Sequence, residues 1–173
     1  MPVYKAPLEN MRFVLNDLLN VGQLAELPGY EQATPDMLDS ILEGGAQICE
    51  DVLFPLNQSG DAEGCHFENG QVTTPKGFKD AYHVFTQGGW NAVSAEPDFG
   101  GMGLPHVWDF AVMEMACAAN LSFSMYPGLS EGAYRAILQH GSDALKQTYL
   151  PKMVSGEWAG TMCLTEPHCG TDL

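Results

Sequence analysis

At 173 residues, 45% hydrophobic and 17% charged, the chain has the composition of a folded globular protein and room for one domain, or one domain plus part of another. Its 22 acidic and 7 basic residues give a formal charge of −15, which argues against nucleic acid and anionic membrane surfaces as partners. No apolar run is long enough to span a bilayer, and the opening MPVYKAPLENM has neither the basic nor the apolar region of a secretory signal.

Five cysteines, at positions 49, 65, 117, 163 and 169, form no CxxC pair. An odd, scattered set points to reduced thiols and a cytoplasmic protein, with Cys49 and Cys117 as core residues inside apolar periodic runs.

Taken in chain order, Met11, Val14, Leu15, Leu18 and Leu19 have the spacing of one buried helix face, ending near Gly22. Thr34-Pro35-Asp36 reads as a helix start: a cap, a proline that tolerates the first position, and an acid at the positive end of the dipole. Leu38, Ile41, Leu42, Ile48, Cys49, Val52 and Leu53 continue it, weakened by Gly44-Gly45 and expected to bend or end at Pro55. Residues 57–78 read as loop, with Asn69-Gly70 as a tight turn that could join two very short strands. Thr74-Pro75 repeats the start signal for a helix bearing Phe78, Ala81, Tyr82 and Phe85, closing at Gly88-Gly89.

After an irregular stretch, a helix is expected from about Pro105 to Ala119, and another from roughly Ser130 to Gln139 with Gly141 as a left-handed terminator. Ser142 then caps a helix whose apolar side is Leu145, Tyr149 and Leu150. Only residues 159–164, AGTMCL, read as strand. The fold class is all-α: a helical bundle with the first strand of a following β domain at its C-terminal end. The expected division is an N-terminal extension over 1–36, a helical domain over 37–158 and the start of a β domain over 159–173.

Self-contained chemistry is scarce. The five histidines are scattered, without the paired spacing of a zinc site. Cys163, Glu166, His168 and Cys169 lie close in sequence and offer metal-ligand atoms, but Pro167 interrupts them and no second cluster stands upstream. The glycine-rich FGGMGLP at 99–105 lacks a preceding strand, so a tight turn into the next helix is favoured over a phosphate loop.

PDFGGMGLP at 97–105 and MCLTEPHCGTDL at 162–173, with GSDALKQTYLPKMVSGEW between them, resemble the acyl-CoA dehydrogenase family. The family's strand-loop signature is matched in order by Met162, Cys163, Leu164, Thr165, Glu166, Pro167, Gly170, Thr171 and Asp172, and the similarity covers roughly residues 38–173. The opening MPVYKAPLENMRFVLNDLL further resembles the long bacterial subfamily that includes 3-(methylthio)propanoyl-CoA dehydrogenases.

This resemblance implies an N-terminal α domain followed by a middle β domain and a C-terminal α bundle, with FAD between the latter two. It implies α-proton abstraction from an acyl-CoA and β-hydride transfer to the flavin, an oxidoreductase of fatty acid metabolism. By resemblance, the backbone of Met162, Cys163, Leu164 and Thr165 lines the flavin's pyrimidine side, and the Thr165 hydroxyl lies near its reactive edge. Thr171 stands where a family serine meets the thioester or flavin. Ser124 and Tyr126, in a stretch read as lying between two helices, correspond to the lining of the acyl tunnel, although helix-end packing fits them as well. The family's catalytic base is a glutamate of the C-terminal domain, with no counterpart in this chain. The chain is therefore expected to be an N-terminal fragment, inactive and flavin-free alone, whose full-length form makes homo-oligomers and passes electrons to an electron-transfer flavoprotein. The alternative is a stand-alone helical interaction module with the fold but no catalysis.

Overall fold

The computed structural model describes residues 3–172; Met1, Pro2 and Leu173, the outermost positions of the expected first and last segments, lie outside the described residues. Helices dominate, and an antiparallel pair of three-residue strands forms the sheet found among the described residues.

Helix α1 (Leu8–Arg12) widens into a π-helical turn at Phe13–Leu18 and stops at Asn20, a left-handed residue with φ 50°. A 3-10 turn over Val21–Glu26 follows. The wider i→i+5 turn breaks the 3.6-residue rhythm. Met11 and Leu15 therefore stay buried while Val14, Leu18 and Leu19 turn outward, a departure from the expected five-residue stripe. Charges dock this segment: Glu50 pairs with Lys5 and accepts from the Ala6 amide at 2.9 Å, and Arg12 reaches Asp39 and Glu43 at 2.6 and 2.7 Å.

Helix α2 (Pro35–Ile48) begins as its sequence predicts, with the Thr34 hydroxyl accepting from the Met37 amide at 3.3 Å. It runs straight through Gly44 and Gly45, where a side chain would strike Trp90 and Met115 respectively. These glycines admit neighbours; they do not interrupt the helix. A π turn at Cys49–Leu53 then leads into α3 (Phe54–Glu63). Of the bend or end expected at Pro55, the end is thus corrected, and so is the loop from Asn57. Pro55 falls in the first turn of α3, where a missing N–H costs little.

Strands β1 (His66–Glu68) and β2 (Gln71–Thr73) pair antiparallel, joined as expected by Asn69 and Gly70, at φ 52° and 78°. Helix α4 (Phe78–Gln87) starts behind Gly77 and not at Thr74-Pro75, because the Lys76 amide donates to Glu63 and holds that dipeptide against the end of α3. Helix α5 spans His106–Ala119.

Helix α6 (Leu121–His140) corrects the expected span most, since Ser124–Leu129 are helical and not a connection. Asn120 explains the early start. Its Oδ1 accepts from the Phe123 amide at 3.0 Å, while its Nδ2 donates to the Leu53 carbonyl at 3.1 Å. Pro127 is carried inside the helix. Gly141 is extended (φ −72°, ψ 151°) and not left-handed; Ser142 caps α7 (Asp143–Val154).

Residues 159–165 form no strand, because a ladder needs a neighbour and none lies beside them among the described residues. The main core gathers Leu42, Leu53, Phe85, Trp108, Val112, Met115 and Phe123, all fully buried. A smaller cluster joins Tyr134, Leu150, Met153 and Val154 to Ala92 and Ala95. Cys49 lies in the main core, its thiol pushed up to about 12 chiefly by burial. Cys117 does not: it sits on the solvent side of α5, with its Sγ 3.3 Å from the Ser124 hydroxyl. No helix of the described residues is long and apolar enough to cross a membrane.

Candidate functional site

Helices α4 and α6 each present aromatic residues to the same surface. Phe78 and Tyr82 are one turn apart on α4, and Phe123 and Tyr126 are three residues apart on α6. Their rings meet as a continuous tilted stack, with centroids 6.4 Å apart for Tyr82–Phe123 and 6.3 Å for Tyr82–Tyr126. Together with Val72 to Thr74, Gly156, Glu157 and Ala159 they wall a groove of about 450 Å³. The Tyr82 hydroxyl donates to the Gly156 carbonyl at 3.3 Å, and burial pushes its pKa upward, so it stays a protonated donor.

The chain leaves α7 at one end of this groove by a well-anchored exit. Asn91 Nδ2 donates to the carbonyls of Val154 and Met153 at 2.8 and 3.4 Å. Gly156 adopts φ 75° and lies so close to Thr86 that a methyl group there would come within 2.4 Å of its Cγ2. Trp158 folds back on α7, donating its amide to the Lys152 carbonyl, with its ring under the Lys152 ammonium and beside Tyr149. Gly160 crosses α6, donating to the Ser130 hydroxyl at 3.1 Å.

Beyond that crossing the anchoring ends. The amides of Met162, Cys163, Leu164 and Thr165 donate to no other described residue, and all four residues are exposed. Glu166 and Cys169 then exchange backbone hydrogen bonds at 2.8 and 3.3 Å, closing a tight turn through Pro167 and His168. Gly170 returns beside Thr165, and Thr171 is exposed. The structure therefore brings Met162, Cys163, Leu164, Thr165 and Thr171 onto one exposed segment that follows Ala159, the last residue lining the groove. Tyr126 lines the groove, whereas Ser124 is buried and donates to its own helix at the Leu121 carbonyl, 2.8 Å away.

Exposed backbone donors without a partner among the described residues, with an exposed hydroxyl on Thr165, suit a planar heteroaromatic rich in acceptor atoms, so these residues fit the expected flavin edge. They do not resemble a metal site. The described residues that do bring ligand-type atoms together are His106, Asp109 and Glu131, within 4.8 Å of one another, a cluster that sequence reading missed. A cation already sits there: Arg135 donates to Glu131 at 2.8 Å, to Ser94 at 3.0 Å and to His106 Nδ1 at 2.6 Å. Burial pushes the Asp109 carboxyl upward and Glu131 adds to this. The Ser94 hydrogen bond at 2.9 Å and the neighbouring His106 and Arg135 pull against them. The signals available in sequence were the i,i+3 spacing of His106 and Asp109 and the i,i+4 spacing of Glu131 and Arg135.

Comparison with known proteins bears on the fold and the family. Residues 43–157 match the family described as acyl-CoA dehydrogenase, N-terminal domain. The chain is 40% identical over 170 residues to a 3-methylmercaptopropionyl-CoA dehydrogenase of Ruegeria pomeroyi, covering 98% of this chain and 29% of that protein. It is 34% identical to a butyryl-CoA dehydrogenase of Syntrophomonas wolfei, covering 98% of this chain and 28% of the relative. The solved butyryl-CoA dehydrogenase of Megasphaera elsdenii superposes with a TM-score of 0.64 at 22% identity, over 79% of this chain and 34% of that one. A chain from work on the electron transferring flavoprotein of Acidaminococcus fermentans gives the same TM-score at 20% identity, over 78% of this chain and 33% of that one. The chain thus spans under a third of the length of these curated relatives. It belongs to the acyl-CoA dehydrogenase family, of whose N-terminal domain it carries the helical fold.

Proposed function

From that membership we propose that the chain is the N-terminal portion of a flavoenzyme that removes hydrogen from the α and β carbons of an acyl-CoA thioester. In this reading 1–36 is an added segment, 37–158 the helical domain and 159–173 the entry to a β domain. The full protein forms homo-oligomers in the cytoplasm and passes its electrons to an electron-transfer flavoprotein. The observation that carries the reading is the run of exposed amides from Met162 to Thr165, without partners among the described residues, on the segment that leaves the aromatic groove at Ala159.

FAD, when bound, supplies the hydride acceptor. The amides of Met162, Cys163, Leu164 and Thr165 and the Thr165 hydroxyl would hold it by donating to its acceptor atoms, and would stabilise negative charge that develops there. Thr171 offers a hydroxyl to the thioester or the flavin. Tyr126 and the neighbouring rings bury the acyl chain, each methylene contributing about 0.8 kcal/mol. Ser124 stands behind that wall. The base that takes the α-proton belongs to a segment outside these 173 residues, and the chain alone neither retains FAD nor turns over.

The test is to express the protein from its full coding sequence and add acyl-CoA thioesters of graded chain length. Bleaching of the flavin absorbance supports the proposal. A full-length protein that carries no flavin, or whose flavin no acyl-CoA reduces, refutes it and favours a helical interaction module. For that module the exposed Val14, Leu19 and Phe110, which line one open groove, supply an apolar face.

A further inference from the structure

We infer that Phe67 sets how long an acyl chain the groove between α4 and α6 accepts: it extends the apolar wall one strand beyond Val72 and meets the far end of a long chain. The inference rests on the reading of that groove as the acyl site.

The hairpin β1–β2 is sorted by face. Residues opposed in an antiparallel pair point to the same side, and successive pairs alternate. Phe67 stands opposite Val72, so these two apolar side chains share one face, while His66 with Thr73 and Glu68 with Gln71 occupy the other. A hairpin with one apolar face usually lays it on a core. Here Phe67 is 75% and Val72 67% exposed, and every residue of both strands is exposed. Val72 of that face already forms, with Thr73, part of the groove wall that Phe78, Tyr82, Phe123 and Tyr126 complete. Adjacent strands lie about 4.8 Å apart, so the wall at Val72 is within one side-chain length of the Phe67 ring.

The base of the hairpin is fixed. The Lys76 amide donates to Glu63 at 3.0 Å, tying together the two ends of the excursion, and Pro75 is buried. A ligand can therefore meet Phe67 without any rearrangement of the bundle. Phenyl and isopropyl groups offer neither charge nor hydrogen bond, so the ligand part that suits them is the hydrocarbon end of the chain. Short acyl groups end among the four rings of the groove. Longer ones pass Val72 and reach Phe67, where each methylene withdrawn from water strengthens binding about fourfold.

Kinetics of the full-length protein with acyl-CoA thioesters of graded chain length test this. Phe67→Ala should raise KM about tenfold for the longest chains and progressively less as they shorten, and Phe67→Leu should restore most of the difference. Because the ring is exposed, the melting temperature should stay nearly unchanged. A rise in KM that is equal at every chain length overturns the inference. So does a marked fall in melting temperature, since another part of the protein then covers Phe67. An unchanged KM in Phe67→Ala beside a raised one in Tyr126→Ala overturns it and leaves the groove as the acyl site. Unchanged values in both variants overturn the two together.

Discussion

The Tyr82 hydroxyl donates across 74 residues of chain to the carbonyl of Gly156, itself held at φ 75° against Thr86. This contact closes the groove where the outward segment begins. Tyr82→Phe keeps the ring stack and loses the hydrogen bond, an expected loss of about 1 kcal/mol in urea unfolding. Gly156→Ala should cost more, about 1–3 kcal/mol, because it adds strain at positive φ to a clash with Thr86. Finding the tyrosine change the more damaging would mean that the exit from α7 is not pinned as described.

Asn120 is a cap that also bridges helices, so its loss should exceed that of an ordinary cap. Asn120→Ala frees the Phe123 amide and the Leu53 carbonyl together, and a loss of about 2 kcal/mol is expected. Thr34→Ala, at an exposed helix start, should cost about 0.5–1 kcal/mol by the same denaturant measurement. Equal losses would show that the bond to Leu53 contributes nothing.

For Asp109, burial places the folded-state pKa above the unfolded value, so the folded protein holds this proton more tightly. The resulting stability is full below the unfolded pKa and is lost as the pH rises through the folded one. Asp109→Asn keeps the shape without that ionisation. The variant should therefore gain on the parent chain as unfolding is measured from about pH 4 to pH 8. A variant that instead falls behind with rising pH would mean that the attraction of Arg135 outweighs burial.

Phe123 and Tyr126 separate packing from binding. Phe123 is 1% exposed with its ring edge-on to Phe85, and Phe123→Ala should destabilise by about 3–5 kcal/mol. Tyr126 is 49% exposed; Tyr126→Ala should leave the melting temperature nearly unchanged and raise the KM for acyl-CoA in the full-length protein.

Thr165→Ala removes an exposed hydroxyl with no described partner, so the fold should be indifferent to it. In the full-length protein, flavin affinity measured by fluorescence quenching should fall about tenfold, equivalent to about 1.4 kcal/mol. Unaltered flavin binding would remove Thr165 from the site.

Much of this was legible where local chemistry decides the outcome. Asn69-Gly70 turned as its positive φ preference demands, and Thr34-Pro35 and Ser142 opened helices where capping chemistry placed them. Misreadings arose where tertiary contacts overrode a breaker. Pro127 and Gly128 made the first half of α6 look like a connection, yet Asn120 had started that helix by reaching back to Leu53. Pro55 looked like a bend or a stop because nothing in the residues announced the π turn before it. The segment 162–171 was recognisable from its motif alone. The groove beside it was not, since Tyr82 and Phe123 become neighbours only through the packing of α4 against α6.

The π turn at Cys49–Leu53 acts as a phase shifter between α2 and α3. It inserts roughly one residue, and each residue turns a helix by about 100°. That rotation sets which side of α3 meets α4, and it aims Gly60 at Phe78, whose ring would lie 2.4 Å from any side-chain carbon there. Deleting a single residue between 49 and 53 would leave two good helices out of step. A bulkier residue would then confront the aromatic wall, and the groove would be the first casualty of a change made in another helix.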